Sequence, residues 1–216
     1  MVRAGKGTKM RFDRDQADTL DAILRWRRDV RHFLDRPVDE ALLARLAETM
    51  TLAPSVGNAR PWRVIRVEDA ALRAAVRADF RRCDEEAAAD YVDDQAAAYR
   101  ALKLAGLDVA PVQLAVFTHI DPAEGHGLGR RTMPETLRQS TAMAIHTLWL
   151  AARAANLGMG VVSILDPGAM ERLFAVPKDW VFTAYLCLGH AEWDDDTPLL
   201  HRAGWQENAP TRWEVR

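Results

Sequence analysis

Residues 141–165, TAMAIHTLWLAARAANLGMGVVSIL, change periodicity part-way, and that change sets the architecture. Ala144, Leu148 and Ala152 recur at helical spacing, and Ile145, Trp149, Leu150 and Ala151 widen the stripe around most of the helix. A helix apolar over so much of its circumference belongs at the centre of a core. His146, on this apolar helix, reads as a satisfied core histidine rather than a ligand. Asn156-Leu157-Gly158 reads as the C-cap. Met159 to Leu165 is then a near-continuous apolar strand, with Ser163 at its end.

Outward from there, Val112 to Ile120 and Trp180 to Leu188 read as further apolar strands, and Trp62 to Val67 as a strand with Arg63 and Arg66 interspersed. Asp121 to Pro134 is a polar loop with Gly125, Gly127 and Gly129, and Pro167 opens a short helix. Leu20, Ile23 and Leu24 mark a first helix running through Trp26. Asp39 offers an N-cap for a second, whose Leu42, Leu43, Leu46, Ala47 and Met50 share a face and which stops near Pro54. Ala70 to Phe80 is a short amphipathic helix, and residues 84–94 carry six acids and no base, as a solvated helix or mobile lid would. Helices and strands alternate irregularly without a repeat, which predicts a layered α+β domain rather than a doubly wound nucleotide fold.

The 216 residues suit one domain, and 49% apolar with 28% charged is an ordinary globular composition. A formal charge of −2 gives no basic field for nucleic acid. Cys83 and Cys187, 104 positions apart, exclude a disulfide scaffold and a Cys-rich zinc site, and the six histidines show no metal-ligand spacing. Residues 1–15 are basic and Gly-containing, without the apolar core of a signal peptide, and read as a flexible segment ahead of the domain. No stretch approaches the ~20 apolar residues that span a bilayer. The expectation is a cytoplasmic protein with no metal, membrane or nucleic-acid partner.

Two segments could carry chemistry. Arg27-Arg28-Asp29-Val30-Arg31-His32 places three guanidiniums within five residues at a helix end, which reads either as a phosphate clamp or as a solvated surface where Asp29 pairs with an arginine. Residues 53–62, with Ser55, Gly57 and Asn58 between Pro54 and Pro61, read either as a turn or as a loop presenting polar groups to a planar ligand. Ser163 sits where a sheet delivers a side chain to a ligand, or it bonds to backbone in the core. Gly125-His-Gly-Leu-Gly129 lacks the strand–turn–helix context of a dinucleotide fingerprint.

Together these segments resemble the flavin-dependent nitroreductase family, from about Leu20 to Trp205. Arg27-Arg28-x-x-Arg31-x-Phe33 resembles its phosphate-binding segment, and Ala53-Pro-Ser55 with Asn58 and Pro61-Trp62 resembles its second signature. Asp29 within Arg-Arg-Asp-Val-Arg, Ser55-Val-Gly57, Lys103-Leu-x-Gly106 and Val162-Ser163-Ile164 narrow the resemblance to a branch that consumes FMN. The resemblance implies a mixed sheet flanked by helices in an intertwined homodimer, with FMN at the subunit interface. Arg27, Arg28, Asp29, Val30 and Arg31 would hold the phosphate and ribityl chain. Pro54 and Ser55 would approach from the partner subunit, and Lys103 from a lid over residues 81–106.

The implied reaction takes reduced FMN as substrate and O2 as co-substrate, expels erythrose 4-phosphate and retains one ribityl carbon in the benzimidazole lower ligand of vitamin B12. Asp29 would be the base for a ribityl hydroxyl, and Ser163 would hydrogen-bond the isoalloxazine near its reactive nitrogen. A separate flavin reductase could supply the reduced flavin. Alternatives within the family are an NAD(P)H-dependent FMN nitroreductase or flavin reductase, and a corrinoid reductase acting on cob(II)yrinic acid a,c-diamide. The chain departs from the pattern at Arg60, at Arg138-Gln139, and after Trp205, where Gln206 replaces an arginine implied to contact phosphate.

Overall fold

A computed structural model describes residues 9–102 and 106–216. Lys103, one of the expected flavin contacts, lies outside the described residues. Four strands, β1 (Trp62–Arg66), β2 (Val112–His119), β3 (Gly158–Val162) and β4 (Trp180–Gly189), form a sheet in the order β1-β2-β4-β3. The architecture is α+β as expected, but every ladder is antiparallel rather than mixed. Among the described residues the single parallel pairing is an isolated bridge between Asp29 and Met159.

The helices are α1 (Arg14–Trp26), α2 (Glu40–Thr49), α3 (Ala70–Ala88), α4 (Asp93–Ala101), α5 (Gly106–Val109), α6 (Thr136–Ala154), α7 (Pro167–Leu173) and α8 (Leu199–Arg202). The central strands β2 and β4 are apolar nearly throughout because both sheet faces are covered. On one face Ala144, Ile145, Leu148 and Ala152 of α6 meet Val116, Leu186 and Leu188, joined by Leu46 of α2. On the other, Val76 of α3, Leu107 of α5 and Met170 of α7 meet Phe117, Tyr185 and Cys187.

Local chemistry sets the helix ends. Asp39 accepts the Leu42 N–H at 2.9 Å, the cap its sequence position predicts. At the start of α1, Asp13 and Gln16 form a reciprocal capping box, so the helix begins at Arg14, inside the segment expected to be flexible.

Several expectations need correction. His146 is exposed, on the α6 surface away from the sheet. α3 does not stop near Phe80 but continues to Ala88, taking in the first of the acidic residues. After α6 the left-handed residue is Asn156 (φ +58), not Gly158, which already belongs to β3. β3 ends at Val162, so Ser163 stands just beyond it, exposed, rather than in the core. The glycines of the 121–134 loop hold left-handed turns, and a Cβ on Gly125 would lie 2.8 Å from the Gly57 carbonyl oxygen. Gly125 and Gly129 pack against the 56–59 turn, and the glycines lie in a short 3-10 turn and its exit rather than at the start of an α-helix.

No helix among the described residues is long and apolar enough to cross a membrane.

Candidate active site

Beyond α1 the chain runs extended from Arg27 and lies flat along β3. Val30 N–H donates to the Met159 carbonyl at 3.1 Å. Two glycines at period-two spacing allow this approach. A Cβ on Gly160 would fall 2.2 Å from the Val30 carbonyl oxygen, and one on Gly158 would fall 2.8 Å from Val30 Cγ2. Past the bridge the Asp29 side chain continues the pairing in place of backbone. Its Oδ1 accepts the Val161 N–H at 3.0 Å, and its Oδ2 accepts from Arg31 Nε at 3.1 Å. The carboxylate is thus oriented by two donors yet keeps 36% of its side-chain surface open.

Asp29, Val30 and Arg31 form the partition between two cavities. The first, about 70 Å³, is faced by Arg27, Arg28, Arg31, Arg153 and Arg202. Arg153 is ion-paired to Asp194, and Arg202 to Asp195 at 2.8 Å. The other three are under-satisfied: Arg27 Nε, Arg28 Nε and Arg31 Nη1 are buried donors without a partner among the described residues. Arg27 also lies over the Trp149 ring at 4.6 Å. Burial, and then the adjacent Arg28 charge, lower the Arg27 pKa from its ordinary value, with Asp29 acting in the opposite direction. A multi-oxygen anion in this cavity would offer acceptors to such donors, as a phosphate monoester does.

The second cavity, about 260 Å³, runs from Asp29 to Ser163 and is walled by Phe80, Tyr91, Tyr99, Cys187 and Trp205. Tyr91 stacks on Tyr99 with centroids 4.8 Å apart and meets Trp205 edge-on at 5.5 Å. Tyr99 OH donates to Asp84 Oδ1 at 2.7 Å. Burial, and then that hydrogen bond, push the Tyr99 hydroxyl up to about 12. Such an aromatic wall suits a planar ring system. Burial likewise pushes the Cys187 thiol up to about 12, which leaves it protonated and unreactive beside the cavity.

The structure therefore places Arg27, Arg28, Asp29, Val30, Arg31 and Ser163 along two neighbouring cavities that share Asp29, Val30 and Arg31. Pro54 and Ser55 border neither cavity; Ser55 Oγ accepts the Arg60 N–H at 3.1 Å, and Val56 N–H donates to Ser140 Oγ at 3.0 Å. Sequence reasoning missed Arg153, Arg202, Tyr91, Tyr99 and Trp205 as lining residues. Arg202, three positions before Trp205, lines the arginine-rich cavity while paired with Asp195. The one local signal available was Gly158-x-Gly160, which in a strand marks another backbone passing close by.

A fold of helices on an antiparallel sheet, with an arginine-rich segment running into an aromatic cavity, defines the class. The chain belongs to the nitroreductase family, whose model matches residues 24–190. It is 64% identical over 207 residues to a 5,6-dimethylbenzimidazole synthase of Rhodobacter capsulatus, covering 96% of this chain and 100% of that protein. A 5,6-dimethylbenzimidazole synthase of Rhodospirillum rubrum is 52% identical over 199 residues, covering 92% of this chain and 94% of its own. Among solved structures, oxidized iodotyrosine deiodinase bound to FMN and 3-iodo-L-tyrosine superposes with a TM-score of 0.71 at 21% identity, covering 91% of this chain and 97% of that one. At that identity the likeness is one of fold.

Proposed function

We propose that this chain carries out the 5,6-dimethylbenzimidazole synthase reaction named for its relatives, with reduced FMN as substrate and O2 as co-substrate. The observation that carries this reading is the place of Asp29, a carboxylate fixed by two donors between a phosphate-sized arginine pocket and an aromatic cavity. A phosphorylated sugar chain joined to a flat ring would have to pass Asp29 in threading the two. Arg27, Arg28 and Arg31 hold the phosphate, their orphaned donors being the fit. Asp29 then takes the proton of a ribityl hydroxyl, and Ser163, at the far side of the cavity, donates to the ring edge. The aromatic wall orients the ring and keeps bulk water from the reacting centre. Reduced flavin supplies the electrons and reacts with O2 unaided, so the protein's task is to direct the outcome.

We take residues 16–216 as one flavin-binding domain with 81–106 as its lid, of which Tyr91, Tyr99, Leu102 and Gly106 border the cavity. A homodimer is supported by apolar surface left open on the single chain. α1 exposes Leu20, Leu24 and Trp26, the C-terminal tail exposes Trp213 and Val215, and a groove of about 550 Å³ lies between α2 and β1. Pro54 and Ser55 then approach the flavin of the other copy. The free thiols Cys83 and Cys187 fit a cytoplasmic setting, where a separate flavin reductase would supply the substrate.

Aerobic incubation with chemically reduced FMN, followed by mass analysis, should yield 5,6-dimethylbenzimidazole and erythrose 4-phosphate. NAD(P)H oxidation with FMN recovered intact, and no benzimidazole, would replace this reading with that of a flavin-recycling reductase.

A further inference from the structure

Ser163 lies on a short link between β3 and α7, and the far end of that link is held by a residue outside the cavity. Asp79, on α3, has only 10% of its side chain exposed. Its Oδ2 accepts the backbone N–H of Asp166 at 2.8 Å, and its Oδ1 accepts from Arg82 Nη2 at 2.6 Å. Arg82 in turn pairs with Glu86 at 2.9 Å and approaches Asp166 Oδ2 at 3.8 Å. Asp166 Oδ1 caps α7 by accepting the Ala169 N–H at 2.9 Å. The link is therefore pinned twice: at Val162, paired with Tyr185 in the sheet, and at Asp166, held by Asp79. Only Ser163, Ile164 and Leu165 lie between, and Leu165 is buried. The neighbour of Asp79, Phe80, lines the same cavity, and Asp84 further along α3 holds Tyr99 of the aromatic wall. One helix thus holds the Ser163 side and the tyrosine side at a set separation.

We propose that Asp79 is a positioning residue that fixes Ser163 against the ring of the bound substrate and so governs how O2 is used. This rests on the role given to Ser163 above. With Ser163 in place, O2 consumption leads to benzimidazole. With the link released, reduced FMN and O2 give oxidised FMN and H2O2, the balanced two-electron reaction that needs no protein.

The readout is benzimidazole formed per O2 consumed, with H2O2 assayed in parallel. Misplacement of a reacting group by about 1 Å costs on the order of a hundredfold, so Asp79→Ala should lower this ratio at least about tenfold, with FMN affinity changed less than about threefold. Asp79→Asn, whose amide oxygen still accepts the Asp166 N–H, should recover most of the ratio. If Asp79→Ala does not accumulate as folded protein, Asp79→Glu, which displaces the acceptor by one methylene, must show the same loss. In the Ser163→Ala background, Asp79→Ala should have no further effect. A wild-type ratio in Asp79→Ala or Asp79→Glu, an Asn variant no better than Ala, or additive losses in the double variant would each overturn the inference. A wild-type ratio in Ser163→Ala alone would instead overturn the role of Ser163.

Discussion

Gly160→Ala tests how the Arg27–Arg31 segment is held. The added Cβ would stand 2.2 Å from the Val30 carbonyl oxygen, whereas carbon–oxygen contacts sit near ~3.3 Å, so the Arg27–Arg31 segment must recede by about 1 Å. That movement stretches two bonds to β3: Val30 N–H to the Met159 carbonyl, now 3.1 Å, and Val161 N–H to Asp29 Oδ1, now 3.0 Å. A backbone pair contributes about 0.5–1.5 kcal/mol and one to a carboxylate about 1.5–3 kcal/mol, so their joint loss is about 2–4.5 kcal/mol. At roughly 2–4 °C per kcal/mol for a chain of this size, the melting temperature should fall by about 5–15 °C. Turnover should fall more steeply than stability, by about a hundredfold, because Asp29 moves with the segment. Gly158→Ala is the internal comparison: its Cβ meets Val30 Cγ2 at 2.8 Å, Cγ1 at 3.0 Å and Cβ at 3.1 Å, less severe overlaps than the 2.2 Å one at Gly160 and with side chain rather than backbone, so its effects should be the smaller on both measures. Thermal unfolding and benzimidazole yield, measured on both variants, decide the matter. A Gly160→Ala protein with wild-type melting and turnover, or one less affected than Gly158→Ala, would refute the close approach as the device that sets Asp29.

Three further outcomes follow from the site. Asp29→Asn keeps an oxygen for the Val161 N–H but removes the base we propose, so product formation should fall by about 10²–10⁴-fold with FMN binding largely intact; unchanged turnover would remove Asp29 from the chemistry. Arg27→Ala removes an orphaned donor and the contact with Trp149, so fluorescence titration should show weaker FMN binding but unaltered riboflavin binding; equal weakening of both would show that Arg27 does not serve the phosphate. Burial raises the Cys187 pKa from 9.0 to about 12. Between those values the unfolded thiol has lost its proton while the folded one keeps it, so folding stability must decline as pH rises through that window. Urea unfolding at successive pH values should show the decline, and Cys187→Ala should flatten it; an identical slope in both proteins would contradict the burial.

What the sequence revealed, and what it hid, divides by the distance over which each feature is determined. The apolar runs of β2 and β4, the α6 stripe and the Asp39 cap are local patterns, and each lies where its periodicity placed it. The arginine cluster was readable because its members are neighbours in the chain, although sequence alone could not choose between a clamp and a solvated surface. The orphaned guanidinium donors support the clamp we propose, while the Asp29–Arg31 pair is the contact that the surface reading expected. Position along the chain misled where tertiary contacts decide. The acids after Phe80 read as solvated, yet Asp84 is bonded to Tyr99 and the helix runs on past it. His146 read as core because its neighbours are apolar, but its own direction on α6 faces outward.

The aromatic wall was hidden for the same reason: Tyr91 and Trp205 are far apart in sequence and meet only where the turn between α3 and α4 reaches the segment after α8. Gly158 and Gly160 join the two scales. They are a local pattern whose cause is distant, a strand stripped of side chains where a segment more than a hundred residues earlier lies against it. The site exists because that segment is both an arginine cluster and the fifth line of backbone on the sheet. Its arginines therefore line one cavity, Arg31 reaching the next as well, while its single carboxylate, tied to Val161, stands between the two.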